Sequence, residues 1–295
     1  MMATSHIIDL NGPFHYMDYG GDGPPVILIH GLGGSYLNWW YVTKDLSQHH
    51  RVYAVDLAGF GLTPPVKRKA TVHNNQDLVD AFSHYIAPGE PVVLVGNSMG
   101  GLISMMQADQ NPHRVAGLVL LNPALPPRSM GGVNLFTFQH LAVPAIPGVG
   151  AAALRRYYAT TSPEEQLEQT MDLIASDRSH ITDEAWVANV EMLRVRREME
   201  WAIPSFTAAS RSIARVITNR RGFKRMVHRI SCPVLLVHGA DDHIVDPPSA
   251  QWAANERPDW EFHLLPGVGH VPQIEAPATV VGLFEEWSRR ALAHI

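Results

Sequence analysis

Short apolar runs rich in Val, Ile and Leu alternate along the chain with longer segments in which apolar residues recur at helical spacing. Each run is bounded by Gly, Pro, Asp or Asn, which is typical of buried strands between turns. We predict strands at residues 26–29, 52–55, 92–95, 115–121, 234–237 and 261–265. Strands that alternate with helices predict the α/β class, with a mainly parallel sheet flanked by helices.

The first segments of the chain follow a different pattern. Residues 5–10 and 14–19 flank the pair Asn11-Gly12, and such a pair favours a tight turn between antiparallel strands. We therefore expect a β-hairpin ahead of the parallel strands.

The strand pattern stops between about residues 122 and 230, where helical spacing replaces it. Ser162 and Thr182 stand at N-terminal positions of such helices. The predicted helices cover residues 151–160, 163–177, 182–199 and 204–219. We predict a core domain formed by residues 1–122 and 231–295, with a helical cap subdomain at 123–230 inserted into it.

The composition excludes several classes of protein. Hydrophobic residues make up 46% and charged residues 17% of the chain, as in a globular protein. The formal net charge of −5 argues against nucleic-acid binding, because neutralising phosphates requires an excess of Lys and Arg. The sequence shows neither a transmembrane span nor a secretory signal pattern. The single cysteine, Cys232, suits a reducing compartment, so we expect a cytoplasmic protein.

A candidate nucleophile follows the predicted strand 92–95. Residues 96–101 read Gly-Asn-Ser-Met-Gly-Gly and precede a segment compatible with a helix. A G-x-S-x-G turn between a strand and a helix is typical of a nucleophile elbow, in which the serine hydroxyl is exposed above the sheet. This context favours Ser98 as a nucleophile over the alternative of a plain strand-to-helix turn.

A serine hydroxyl needs a base, and the base needs an orienting carboxylate. His270 lies in a Gly-rich loop after the last predicted strand, where an imidazole can reach the edge of the sheet. Asp241 and Asp242 follow the strand 234–237 and compete for the role of the acid. We favour Asp242 and expect the other aspartate to face solvent or to cap the next helix.

The oxyanion that forms when the serine attacks needs two donors. The backbone amide of Met99, directly after the nucleophile, is one candidate. The turn His30-Gly31-Leu32-Gly33-Gly34 follows the strand 26–29, and Leu32 is the candidate for the second donor. We expect His30 to brace this turn rather than to take part in chemistry.

These segments resemble the α/β-hydrolase-fold serine hydrolases that carry a helical cap. The resemblance covers residues 5–122 and 231–294. It includes residues 56–61, Asp-Leu-Ala-Gly-Phe-Gly, which are similar to the D-x-x-G-x-G turn of that family.

The resemblance implies a triad of Ser98, Asp242 and His270, with the backbone amides of Leu32 and Met99 as the oxyanion hole. It implies no metal and no organic cofactor. We predict an esterase-like or lipase-like enzyme that cleaves a small to medium, apolar carboxylic ester, lactone or thioester through an acyl-enzyme. The sequence assigns no oligomeric state.

Two other functions stay open. The string around Ser98 resembles the carbon–carbon hydrolases that cleave meta-cleavage products, but those enzymes usually have tryptophan after the catalytic histidine, where this chain has Val271. A ligand-binding receptor with a slow or idle triad is the second alternative. Assay on a vinylogous diketone tests the first, and labelling by a fluorophosphonate without multiple turnover would support the second.

Two segments of the predicted cap have unusual composition. Residues 130–154 contain no charged side chain and are interpreted either as packing between cap and core or as an apolar acyl pocket or lid. Residues 194–229 contain ten Lys or Arg and two Glu, a net charge of +8. This excess indicates a solvated helix face or a surface for weak, salt-sensitive association with anionic membranes.

Two tryptophans, Trp39 and Trp40, follow the oxyanion turn. We expect them to anchor the core rather than to contact substrate.

Overall fold

The computed structural model of the protein describes residues 3–128 and 143–293. Its centre is one sheet of eight strands. In chain order they are β1 (Thr4–Asp9), β2 (Pro13–Asp18), β3 (Pro25–Ile29), β4 (Arg51–Val55), β5 (Val92–Asn97), β6 (Val115–Leu121), β7 (Val234–Gly239) and β8 (Glu261–Leu265).

The strands lie in the order β1-β2-β4-β3-β5-β6-β7-β8. Pairing is antiparallel at β1–β2 and β2–β4 and parallel across the rest of the sheet. The predicted mainly parallel sheet and the hairpin at its edge are therefore confirmed. Asn11 and Gly12 of the hairpin turn both have positive φ, 60° and 122°, which is why this turn favours that pair.

Helices cover both faces of the sheet, and five of the described helices lie between β6 and β7. They are α1 (Thr43–Leu46), α2 (Val72–Ile86), α3 (Met99–Gln110), α4 (Val149–Thr160), α5 (Pro163–Ile174), α6 (Asp183–Arg197), α7 (Ala202–Thr218), α8 (Arg220–Arg229), α9 (Pro247–Glu256), α10 (Pro272–Glu275) and α11 (Pro277–Ala291). Short 3₁₀ turns lie at Tyr36–Trp39, Pro112–Arg114 and Val143–Ala145.

Each face of the sheet carries its own apolar core. Ile27 and Ile29 of β3 point into one core, and Val26 and Leu28 point into the other. Parallel strands buried on both faces read as continuous apolar runs, which is why the sequence pattern located them closely. A smaller cluster of Leu167, Met171 and Val190 joins α5 to α6.

The helices between β6 and β7 differ from the prediction at their ends. The predicted helix 163–177 stops at Ile174, because the amides of Ser176 and Asp177 bond a distant carboxylate, Glu275, instead of continuing the helix. The prediction placed the start of α7 at Pro204, two residues late. Pro204 is tolerated within the first turn, where its missing N–H has no helical partner anyway.

Helix α8 was not predicted as a helix. Its Phe223, Met226 and Val227 are buried in the core beneath the sheet, although the sequence assigned this stretch to the cap. The domain boundary at residue 230 stays a prediction.

Residues 130–142 of the apolar segment 130–154 lie outside the described residues. Its remaining part forms the 3₁₀ turn Val143–Ala145 and the start of α4. Within residues 3–128 and 143–293, no helix combines the length and the apolar character needed to cross a membrane.

Candidate active site

Ser98 occupies a sharp turn between β5 and α3. Its backbone has φ 54° and ψ −115°, a sparsely populated conformation for a residue with a side chain, which persists only where the surroundings enforce it. A Cβ on Gly96 would lie 2.5 Å from the carbonyl carbon of Gly100, and one on Gly100 would lie 1.9 Å from the carbonyl oxygen of Ile29. Only glycine fits at these two positions, so the predicted elbow has a steric basis.

Hydrogen bonds hold the turn in place. The Ser98 amide donates to the carbonyl of Leu121 at 3.1 Å, and the Ser98 carbonyl accepts from Ala124 at 2.9 Å. The side-chain amide of Asn97 donates to the carbonyl of His270 at 3.0 Å. This last bond joins the turn to the loop that carries the candidate base.

His270 and Asp242 form a buried pair. The Nδ1 of His270 donates to Oδ2 of Asp242 at 2.8 Å. The Oδ1 of Asp242 accepts the amides of Ile244 and Val245 at 2.7 and 3.1 Å, and Oδ2 also accepts from the Asn122 side chain at 2.7 Å.

These contacts decide the charge of the carboxyl group. Burial is the largest influence and acts to raise the pKa of Asp242, but the charge and hydrogen bond of His270 outweigh it, with help from His238 and Asn122, so that the pKa lies below its ordinary value. Asp242 is therefore an ionised acceptor that fixes His270 with its proton on Nδ1 and leaves Nε2 free to accept a proton.

The two adjacent aspartates have different surroundings. Asp242 is buried and bonds His270, whereas Asp241 is exposed to solvent. Neither caps the following helix, because the residue at the N-cap of α9 is Asp246.

Sequence reasoning missed two residues that hold this pair. Asn122, buried at the end of β6 with φ 44°, donates to Asp242 and to the carbonyl of Gly269. The signal that could have revealed it is its place at the carboxyl end of a parallel strand, where sites in open α/β sheets form.

Glu275 is the second missed residue. Its buried carboxylate accepts the amide of Gly269 at 3.0 Å and those of Ser176 and Asp177 at 2.7 and 3.2 Å. The amide of His270 in turn donates to the carbonyl of Ile174 at 2.7 Å. The histidine loop is thus clamped to the segment that follows α5.

The candidate oxyanion donors belong to two segments, the start of α3 and the turn at residues 30–34. Met99 is the first residue of α3, where backbone amides lack a helical partner, and its side chain is buried in the core. Leu32 lines the cavity above Ser98. His30 braces this turn, because its Nδ1 donates to the Gly31 carbonyl at 2.7 Å and its Nε2 accepts the Leu57 amide at 3.1 Å.

The environment of His30 agrees with a bracing role. The imidazole is fully buried, and burial lowers its pKa from the ordinary value of 6.5 to about 4. It is therefore neutral near pH 7.

The turn at residues 56–61 also has a structural role. The Oδ1 of Asp56 accepts the amide of Tyr36 at 2.8 Å, and Oδ2 accepts the amide of Leu62 at 2.8 Å and Nδ1 of His15 at 2.7 Å. This carboxylate ties the segment after the oxyanion turn to β2.

A cavity of about 710 Å³ lies between the sheet and the helices of the insert. Ser98, His270 and Val271 all line it. Much of the remaining surface is apolar, including Leu154, Leu167, Met171, Ile174, Met192, Leu193, Phe206 and Ile244. Trp39 is buried in the core as expected, but Trp40 is 42% exposed and lines the cavity, which contradicts the expectation that it only anchors the core.

The basic segment 194–229 does not form one solvated face. Several of its cations pair with carboxylates: Arg194 with Glu164 and Glu191, Lys224 with Glu256, and Arg229 with Asp109. Five basic side chains of α8 line a surface concavity: Arg221, Lys224, Arg225, His228 and Arg229. Association with anionic membranes stays a prediction.

The remaining candidate ligands are scattered. Within the part of the chain that the structure describes, no three His, Cys, Asp or Glu side chains are grouped as a metal site would require. Cys232 is half-buried, and burial raises the pKa of its thiol to about 12, so it is not an activated nucleophile.

The chain is similar to known proteins along most of its length. Residues 24–277 match the family described as alpha/beta hydrolase fold. A pimeloyl-[acyl-carrier protein] methyl ester esterase of Nitrosospira multiformis is 27% identical over 93% of this chain and 98% of its own. A 2-hydroxy-6-oxo-2,4-heptadienoate hydrolase of Pseudomonas putida is 30% identical over 86% of this chain and 85% of its own.

Among solved structures, a haloalkane dehalogenase of Bradyrhizobium elkani superposes with a TM-score of 0.83 at 18% identity, covering 100% of both chains. At this identity the likeness concerns the fold alone, because one scaffold supports many reactions.

Proposed function

Because the chain belongs to the alpha/beta hydrolase fold family, we propose that it hydrolyses carboxylic esters through an acyl-enzyme formed on Ser98. The observation that carries the proposal is the buried hydrogen bond between His270 and an ionised Asp242. The imidazole of His270 lines the same cavity as Ser98. A histidine held in this tautomer is the base that a serine nucleophile needs.

The proposed reaction has two stages. Nε2 of His270 takes the proton of Ser98 as Oγ attacks the ester carbonyl, and then protonates the departing alcohol. Water attacks the acyl group by the same route and frees the serine. The amides of Leu32 and Met99 stabilise the oxyanion in both stages.

The cavity supports a small to medium substrate with apolar parts, since most of its lining is apolar. The helices between β6 and β7 act as a cap over Ser98 in this proposal. The similarity to an esterase of acyl-carrier-protein methyl esters agrees with ester cleavage. The unactivated, free Cys232 agrees with a cytoplasmic location.

Turnover of p-nitrophenyl esters by the Ser98→Ala variant tests the nucleophile. We expect kcat/KM to fall by about 10,000-fold or more, as when a triad serine is removed, with the fold intact by circular dichroism. Ser47→Ala, which removes the hydroxyl of a half-buried serine that donates to the Lys44 carbonyl, is the matched control and should behave as wild type. Wild-type turnover in Ser98→Ala would refute the proposal.

Hydrolysis of a carbon–carbon bond is the second candidate, favoured by the 30% identity to a heptadienoate hydrolase. Direct assay on a 2-hydroxy-6-oxo-dienoate decides between the two. Faster turnover of this compound than of any ester would favour carbon–carbon cleavage. Covalent labelling of Ser98 by a fluorophosphonate, without multiple turnover of either substrate, would favour a ligand-binding receptor instead.

A further inference from the structure

Arg196 on α6 is a buried cation in the wall of the cavity. Its side chain is only 6% exposed, yet it lines the same space as Ser98 and His270. Its Nη1 donates to the carbonyl of Gly33 at 2.5 Å, while its Nε is buried with no hydrogen-bond partner among the described residues. Its guanidinium carbon lies 5.5 Å from the centre of the Phe60 ring.

No carboxylate among the described residues pairs with this guanidinium. Burial lowers the pKa of Arg196 and outweighs the opposing influence of Tyr158 and Asp56. Both oxygens of Asp56 already accept other donors. An arginine stays protonated in proteins, so the wall of the cavity contains a buried positive charge without a counter-ion, an unfavourable arrangement unless an anion binds there.

The rest of the cavity wall agrees with an anionic ligand. Its described lining includes two arginines, Arg156 and Arg196, and no Asp or Glu. Arg156 is exposed, whereas Arg196 is buried. A ligand carboxylate that enters this space therefore meets two positive groups and no negative one on the described lining.

The position of Arg196 places this charge next to the reacting centre. Gly33, its hydrogen-bond partner, belongs to the same turn as Leu32 and Gly31. A Cβ on Gly31 would lie 3.2 Å from Cβ of Ser98, so the turn that Arg196 contacts abuts the nucleophile. A group bound by Arg196 and an ester carbonyl at Ser98 can belong to one small molecule.

We propose that Arg196 binds a free carboxylate of the substrate, so that the preferred ester is an acid ester such as the monoester of a dicarboxylic acid. This inference rests on the proposed ester hydrolysis and names the substrate class within it. The apolar lining then contacts the carbon chain between the carboxylate and the ester.

Matched p-nitrophenyl esters test the proposal. One series ends in a carboxylate and the other ends in a methyl group, with the same chain lengths and the same leaving group. We expect wild-type kcat/KM to favour the carboxylate series by about 10- to 100-fold at the best length, which is the range for a charge-assisted hydrogen bond. Equal or better hydrolysis of the methyl series at every length would overturn the proposal, although ester hydrolysis itself would stand.

The variant Arg196→Gln separates binding from support of the oxyanion turn. We expect the ratio between the two series to fall toward one, with Arg196→Lys intermediate and the exposed control Arg194→Gln unchanged. Equal loss on both series, with the ratio kept, would show that Arg196 only positions the turn.

A binding measurement makes the test independent of turnover. Adipate, pimelate and suberate are titrated into Ser98→Ala and into Ser98→Ala/Arg196→Gln by calorimetry. We expect at least one dicarboxylate to bind Ser98→Ala at least 10-fold more tightly than it binds Ser98→Ala/Arg196→Gln. Equal affinity of all three for the two proteins, or no binding to either, would overturn the proposal whatever the esterase assay shows.

Discussion

Replacing Asp242 with asparagine keeps the shape of the side chain but turns one oxygen into a donor. Oδ1 accepts the amides of Ile244 and Val245, so the asparagine keeps its oxygen at that position. Its NH2 group then occupies the place of Oδ2, which faces two donors, Nδ2 of Asn122 and Nδ1 of His270. In the Asp242→Asn variant, the imidazole of His270 therefore faces an NH2 donor in place of the carboxylate oxygen that accepts its proton.

The size of the expected loss in kcat follows from the tautomer of His270 in the Asp242→Asn variant. Nδ1 of His270 can face an NH2 group only as an acceptor, so the ring proton moves to Nε2, which then cannot take the proton of Ser98. The same replacement in a serine-protease triad lowers kcat by about 10,000-fold, or about 5 kcal/mol in activation free energy. We expect a loss of this order for Asp242→Asn.

The neighbouring aspartate provides the matched control. Asp241 is exposed and does not contact His270, so Asp241→Asn should change kcat for p-nitrophenyl esters by less than about 2-fold. Both variants are assayed between pH 7 and 9, with the fold checked by circular dichroism. A loss below 10-fold in a folded Asp242→Asn, or an equal loss in Asp241→Asn, would refute the assignment of the acid.

The pKa of His30 in the folded protein is about 4, below its ordinary value of 6.5. As pH drops from about 6.5 to 4, this histidine is therefore protonated in the unfolded chain but not in the folded one, and the free energy of unfolding falls. In urea unfolding, His30→Asn should reduce the slope of the free energy of unfolding against pH by about 1.4 kcal/mol per pH unit. The exposed control His113→Asn should leave this slope unchanged. An unchanged slope in His30→Asn would contradict the account. Glu275→Gln places an NH2 group against backbone donors such as the Ser176 amide, and should cost about 1–3 kcal/mol for each donor left without an acceptor. A loss in the free energy of unfolding no larger than that of the exposed Glu286→Gln would contradict the clamp.

The candidate triad could be predicted because each member follows a strand with a clear pattern. Ser98 follows β5 in a glycine-rich turn, Asp242 follows β7 and His270 follows β8. The carboxyl ends of parallel strands lie along one edge of the sheet, so side chains far apart in sequence meet there. Local pattern and topology together place Ser98 and His270 on one cavity and Asp242 in hydrogen-bond contact with His270.

The residues that hold the site could not be predicted in this way, because their hydrogen-bond partners lie far away in sequence and no motif identifies them. Asn122 bonds Asp242 across 120 residues, Ser176 bonds Glu275 across 99, and Arg196 bonds Gly33 across 163. The sequence pattern assigns Arg196 to a basic segment that is either a solvated helix face or a surface for association with anionic membranes, whereas the structure buries it. Burial of a single charged side chain has no periodic signal in the sequence.

Trapping of the acyl-enzyme tests the central claim most directly. The wild-type protein is mixed with a p-nitrophenyl ester, quenched in acid within milliseconds and digested for mass spectrometry. We predict an added acyl mass on the peptide that contains Ser98, at Ser98 itself, decaying as product forms. Steady turnover of the ester with the acyl group on another residue, or with no acyl-protein at any quench time, would contradict the account.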